Sequence, residues 1–381
     1  MSLRGDPSFD AASLPEGARI WYERFLAALA SPDQYPDAVQ AASTGDLYQL
    51  GRYVNTHVTT VLMVFRFTGD LHLLDAIDPI MQAARAQLKD YNHDGYLNWR
   101  WLADPNNKQW YGDDQHLMGE ILTHSLVAAV AWAYQENRNL ESPAGIDYGE
   151  RADFWKNYLK HDFEAKWRKR DGTSGYDYLT GYLMHAYLQE IRYFHYMGLL
   201  FGEPGYKVEA TKLASALKID FHAVTTPAGP GYVWMQGVET ENTNVKFAQP
   251  TIYASNTIQA AEDLALEGMA PFAEGDFMER IANTVSSLVM DNGSKDFAAD
   301  IAGGKQFPGF VSLPAPPSED AQSRVTDRVF AIIPLATLAP YDATGRIARI
   351  SKQVYDTIET GRVPRRIYLP AAFFIDAVAH P

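Results

Sequence analysis

Apolar residues in this chain recur at three- and four-residue spacing over long stretches, and the stretches come in pairs. The clearest pair covers residues 46–67 and 71–88, joined by Thr68-Gly69-Asp70. A tight polar turn between two runs of helical period predicts an antiparallel helical hairpin. The same pattern predicts helices over 14–30, 114–136, 148–169, 178–201, 206–221, 252–267, 276–289, 325–338, 344–360 and 369–378. Every second helix is the more apolar one. The others carry a charged stripe, as helices with one solvated face do; Glu150, Arg151, Asp153, Lys156, Lys160 and Asp162 form one such stripe.

The connections are lopsided. Short turns follow the apolar helices, whereas long loops such as 90–112, 222–250 and 291–322 precede them. The expected fold is therefore all-α: a six-hairpin (α/α)6 toroid occupying residues 1–381 as a single domain. Its first helix closes against its last, and the long loops gather on one rim around the starts of the inner helices. Residues 231–236, Gly-Tyr-Val-Trp-Met-Gln, read as a short strand, half of a β-hairpin lying on that rim. An open α-solenoid would instead show regular repeats without lopsided loops. Loops on a rigid scaffold favour binding sites, and helix N-termini favour anions.

Composition narrows the function. Of 381 residues 46% are hydrophobic, enough for a large core. The formal charge of −14 makes the chain a poor general binder of nucleic acid. No uninterrupted apolar run reaches the roughly 18 residues that span a bilayer, so neither nucleic acid nor membrane is an expected partner. The absence of cysteine removes disulfides, thiolate chemistry and cysteine-ligated zinc. It suits a periplasmic or extracellular protein, the expected location, but also many cytosolic ones. Met1-Ser2-Leu3 lacks the apolar stretch of a signal segment.

The chain holds 8 Trp, 22 Tyr and 18 Phe, many in the long loops: Tyr91, Tyr96, Trp99, Trp101, Trp110, Tyr111, Tyr176, Tyr178, Tyr232 and Trp234. Flat amphipathic rings stack on sugar faces while their polar tips meet hydroxyls; padding of the loops is the alternative use. Arg324, Arg328, Arg362, Arg365 and Arg366 precede or open the last inner helices, a basic exception in an acidic protein that suits an acidic ligand.

One chemistry that fits is β-elimination of a uronate polymer. It needs donors that neutralise the sugar carboxylate, a base at the C5 proton and an acid at the glycosidic oxygen. Tyr serves as base and acid where cations lower its ordinary pKa of about 10. Asn, Gln, His and Arg stabilise the enolate-like state. His116, His124 and His185 are the candidate histidines, with Asn244 beside them.

Lys246 stands seven positions before Tyr253, which opens an apolar helix. This stretch of some twenty residues resembles the alginate lyases built on α/α toroids, where a basic residue precedes a catalytic Tyr by that spacing. The resemblance implies Tyr253 as base and acid, with a histidine and Asn244 on the carboxylate. It also implies that Lys246 and Arg324 or Arg328 hold the anionic chain, with Trp110, Trp234 and Tyr178 lining it. Lys246 replaces the usual Arg, which loses bidentate pairing. The Asn-Asn-His triplet of those lyases has its nearest counterparts in Asp114-Gln115-His116 and around His124, without the Asn pair.

The alternative chemistry is glycoside hydrolysis. Asp113-Asp114 at a helix start resembles the acidic pairs of toroidal mannanases and unsaturated-uronyl hydrolases, which use one carboxyl as acid and another as base or nucleophile. Ordinary helix capping is the competing use. A non-catalytic carbohydrate-binding protein is the third reading. Asp90-x-Asn92-x-Asp94-Gly95 matches the opening of a calcium-binding loop, but Trp101 occupies the position of its closing Glu. An Asx-turn is the preferred reading there, and no cofactor is expected.

Overall fold

The computed structural model describes residues 2–31, 37–103, 105–106, 109–241, 245–290, 297–304, 333–359 and 367–380. Asn244, Arg324 and Arg328 lie outside these residues, as do Arg362, Arg365, Arg366, most of the 291–322 loop and the start of the helix expected over 325–338. The described elements are helices plus a single two-stranded sheet. They group into two compact units whose segments alternate along the chain. One comprises Met1–Asp10, Tyr35–Gly181 and Gln189–Lys212; the other comprises Ala11–Gln34, Tyr182–Leu188 and Leu213–Pro381.

The first unit is built of the expected hairpins. The run 46–67 forms Leu47–Gln49, a π-helical turn Leu50–Val54 and the helix Asn55–Thr68. Gly69 ends it at φ +67°, and Asp70 starts the helix Leu71–Arg85 by accepting the His72 amide at 3.0 Å. Only glycine suits that turn, because a Cβ would also stand 2.7 Å from the Asp6 nitrogen. A second hairpin joins Leu117–Glu136 to Tyr148–Tyr158, capped by Asp147, which accepts the Glu150 amide at 2.9 Å. Arg151 reaches from this hairpin to Asp78 on the first at 2.7 Å. The run 148–169 continues through a π-helical turn, Leu159–Glu164, into Ala165–Asp171. Leu117–Glu136 is long and apolar enough to cross a bilayer by length and composition, but 83% of its apolar window is buried inside the protein. It is the core helix of this unit, and its Gly119 lets Trp101 and Leu47 approach closely.

In the second unit the first and last helices meet. Glu16–Leu29 packs on Tyr368–Ala379, with Trp21 and Phe373 at 4.5 Å between ring centres and Tyr22 and Phe374 at 5.3 Å. The β-hairpin pairs His222–Thr226 with Gly229–Val233 in the register His222↔Val233 to Thr226↔Gly229. It rests on the helix Phe277–Thr284, where the Tyr232 backbone amide donates to the Thr284 hydroxyl at 2.9 Å and the Tyr232 ring meets Phe277.

The helix Thr251–Leu266 buries Glu262, whose carboxylate accepts the Thr337 hydroxyl at 2.6 Å while its Oε1 has no partner among the described residues. Burial pushes this carboxyl up to about 8 from its ordinary 4.5. The folded state therefore holds one more proton than the unfolded chain between those values, and it loses stability as pH rises through that window. Glu262→Gln is expected to flatten this slope and to raise stability at pH 8.5 by roughly 2–4 kcal/mol. Urea denaturation of both proteins at pH 5 and pH 8.5 checks it; parallel pH slopes would contradict it.

The helix expected over 178–201 begins only at Met184. Gly181 donates its amide to Glu190 at 2.6 Å, and Met184 donates to the Gln236 carbonyl at 2.8 Å. Leu183 is thus taken into a β-bridge with Gly237 instead of a helix.

Candidate active site

The chain leaving the β-hairpin builds the site in the second unit. Residues 234–238 continue the strand direction and pair on both sides. On one side Gln236 donates to Phe247 O at 2.8 Å, Gly237 to Val245 O at 3.0 Å, and Gln249 to Trp234 O at 3.2 Å. On the other, Met184 donates to Gln236 O at 2.8 Å and Val238 to Tyr182 O at 3.0 Å. Each flanking segment then turns directly into a helix. Pro250 starts Thr251–Leu266, with Tyr253 in its first turn, and Leu183 leads into Met184–Phe201, with His185 in its first turn. Pro suits the start of a helix because its missing N–H falls where no intrahelical bond is made.

This three-segment ladder brings together two residues far apart in sequence. The His185 and Tyr253 rings lie 4.9 Å apart at 22°, a near-parallel stack. His185 is buried and Tyr253 is partly exposed. The Gln236 amide nitrogen stands 3.4 Å from His185 Nδ1. Across the ladder, Gln249 Oε1 accepts both the Trp234 indole at 2.6 Å and the Thr257 hydroxyl at 2.9 Å. Indole only donates, so this fixes the orientation of the Gln249 amide. Its Nε2 has no partner among the described residues, and neither has Gln236 Oε1. Lys246 is exposed on the same ladder. Trp234 is fully buried, so its ring presents no face to a sugar.

The other expected residues lie in the first unit. His116 caps the helix Leu117–Glu136 by accepting the Gly119 amide at 3.1 Å. Its ring lies flat on Trp101 at 3.7 Å and 13°, with Trp110 edge-on at 5.3 Å. Burial holds the imidazole below its ordinary pKa. Trp110 and Tyr111 are exposed, and the His116–Trp101 stack supports Trp110 from behind. His124 is sealed in the core: Nδ1 meets the Glu120 carbonyl at 2.8 Å, Nε2 meets the Tyr158 hydroxyl at 2.9 Å, and Phe163 covers its face at 3.5 Å. Burial lowers its pKa well below the ordinary value. Tyr178 is also buried, hydroxyl to hydroxyl with Tyr193 at 2.8 Å, and burial raises its pKa far above the ordinary range.

Asp114 is clamped by Arg170, whose Nη1 and Nη2 meet its two oxygens at 2.9 and 3.1 Å, and Asn92 donates to the same carboxylate at 2.7 Å. Asp113, partly exposed, accepts the Gln115 amide at 2.9 Å. Arg170 also holds Asp94 at 2.8 Å. Asp90 accepts the amides of Asp94 and Gly95 at 3.1 and 3.0 Å, four and five residues on, so its carboxylate closes a wider loop than the two-residue Asx-turn expected there. The 90–95 loop thus already has a cation, a guanidinium, among its carboxylates, and among the described residues no group of three His, Asp or Glu side chains is set to hold a metal ion. Calcium at millimolar concentration is expected to leave the thermal midpoint unchanged, whereas Arg170→Gln is expected to lower it and to cost roughly 1–3 kcal/mol of stability, because Asp114 keeps only the Asn92 amide. Thermal scans with calcium and with chelator, on both proteins, check this; a calcium-dependent rise in the wild type would contradict it.

Sequence reasoning singled out Lys246, Tyr253 and three histidines but passed over Gln236, Gln249 and Thr257. The alternation of Trp234 and Gln236 in the strand pattern puts them on one face and was the available signal. No protein-family model matches the chain, and no curated protein matches it.

Proposed function

We propose that the protein is a polysaccharide lyase that cleaves a uronic-acid polymer, alginate-like or glucuronan-like, by β-elimination on a six-hairpin α/α toroid. The observation that carries this reading is the stack of His185 on Tyr253 at the start of two helices. Tyr253 as phenolate takes the C5 proton of the uronate and, as phenol, returns a proton to the departing glycosidic oxygen. A C4–C5 double bond forms as the C4–O bond breaks. His185 donates to the carboxylate so that charge building toward C5 is stabilised as an enolate. Lys246, exposed beside the ladder, holds a neighbouring carboxylate of the chain.

A polymer of this kind is met outside the cytoplasm, which suits a periplasmic or extracellular location. The bidentate Arg170 clamp on Asp114 weighs against a hydrolase built on Asp113 and Asp114, because a general acid needs a mobile proton there.

A panel of uronate and neutral polysaccharides tests the reading. A lyase yields an unsaturated sugar absorbing in the ultraviolet, a hydrolase yields reducing ends without that absorbance, and a binding protein yields neither. Reducing ends without ultraviolet absorbance, from any member of the panel, would overturn it.

A further inference from the structure

The chain contains two Asp-Gly steps, Asp94-Gly95 and Asp171-Gly172, and the fold treats them differently. At the first, both residues are held. Arg170 donates from Nε and Nη2 to the Asp94 carboxylate at 3.0 and 2.8 Å, and the Gly95 amide donates to Asp90 at 3.0 Å. At the second, Asp171 is the last residue of the helix Ala165–Asp171, is exposed, and makes no side-chain hydrogen bond or ion pair among the described residues. Gly172 follows at φ +69°, a left-handed conformation that glycine accepts, and a Cβ there would meet nothing within 4 Å. Helix ends fray, so the Asp171 side chain is free to swing onto the next amide.

We infer that Asp171-Gly172 is a site of spontaneous backbone isomerisation, in which Asp171 becomes isoaspartate, and that the Arg170 clamp exempts Asp94-Gly95. The Gly172 nitrogen attacks Cγ of the protonated Asp171 side chain. An N–Cγ bond forms, the Cγ–OH bond breaks, and the hydroxyl leaves with the amide proton as water. The resulting succinimide takes up water at either carbonyl. Attack at one restores Asp171; attack at the other routes the main chain through the side-chain carbon. Glycine is the favourable neighbour because it has no Cβ to hinder its nitrogen. At Asp94 the step is blocked twice: the guanidinium favours the ionised carboxyl, and the Gly95 N–H is already directed at another carboxylate. The product carries an extra main-chain carbon inside the turn that Arg168 closes by donating to Ser174 O at 2.5 Å. It lies directly after the residue that clamps Asp94 and Asp114, so ageing at this step loosens the helix end that carries the clamp.

Methyl transfer by an isoaspartate-specific carboxyl methyltransferase reads the product without any need for activity, and peptide mapping places it. Native protein kept for weeks at about 37 °C and pH 6 is expected to gain label in the peptide spanning 171–172, several-fold above the peptide spanning 94–95. The labelled peptide has an unchanged mass before methylation, which separates it from Asn292-Gly293, where the same route proceeds with loss of ammonia and a change of mass. Asp171→Glu is expected to remove the label from its peptide, because the longer side chain closes the ring far less readily. Arg170→Gln is expected to raise the label at 94–95. In guanidinium, where the fold no longer distinguishes them, both steps of the wild type are expected to label alike. Label at 171–172 that appears only in guanidinium would overturn the inference, as would equal label at the two steps in the native wild type.

Discussion

Tyr253→Phe is expected to abolish elimination, lowering kcat by about 10²–10⁴-fold, the range typical of a positioned general acid–base group. The substitution removes one oxygen and leaves the ring that stacks on His185 at 4.9 Å. The backbone N–H of residue 253, which donates to Pro250 O at 2.9 Å, is also untouched. Stability should therefore stay within about 1 kcal/mol of wild type. Because the phenol is needed only as bonds change, KM for the polymer should move little while kcat collapses. The measurement is initial rate of ultraviolet absorbance across a substrate series, alongside urea denaturation of the same samples. Elimination at a wild-type rate would take Tyr253 out of the mechanism.

The second large effect concerns stability. Glu120 and Lys166 form a salt bridge with both side chains at 0% exposure. Lys166 also donates to Asp114 O at 2.7 Å, and Asn98 donates to that carbonyl and to the Glu120 carboxylate. Burial raises the Glu120 pKa and lowers that of Lys166, so each depends on the other to remain ionised. Lys166→Met strands a buried carboxylate whose Oε2 already has no partner among the described residues. The expected loss is about 3–5 kcal/mol. Replacing both partners, Glu120→Leu with Lys166→Met, should recover most of it, because desolvation of the pair offsets much of its attraction. Unfolding free energies of wild type, Lys166→Met, Glu120→Leu and the double variant form a double-mutant cycle. A single variant within 1 kcal/mol of wild type would show that the site admits water or that Glu120 takes up a proton without penalty.

Much of the helical framework was legible because it is local. Thr68-Gly69-Asp70 supplies both a left-handed helix end and the next helix cap, and such turns need no knowledge of the rest of the chain. The candidate site was legible only in part. The spacing of Lys246 and Tyr253 is visible along one segment. The choice of His185 over His116 and His124 is not, since it depends on a bridge between 182–184 and 236–238 that is too short to leave a periodic trace. The clamp of Arg170 on Asp94 and Asp114 was hidden for the same reason: its partners are 76 and 56 positions away. The late start of the helix Met184–Phe201 was missed because an apolar run of helical period was drawn into a main-chain bridge by a strand distant in sequence.

The alternation of the two units along the chain bears on how this protein can be handled. The helix Met184–Phe201 begins in one unit and passes at residue 189 into the other. A cut at that junction severs a continuous helical hydrogen-bond ladder near its start, and every helix of a few residues is unstable by itself in water. Neither half can be excised as an uninterrupted stretch of gene, and fragments made that way should be insoluble.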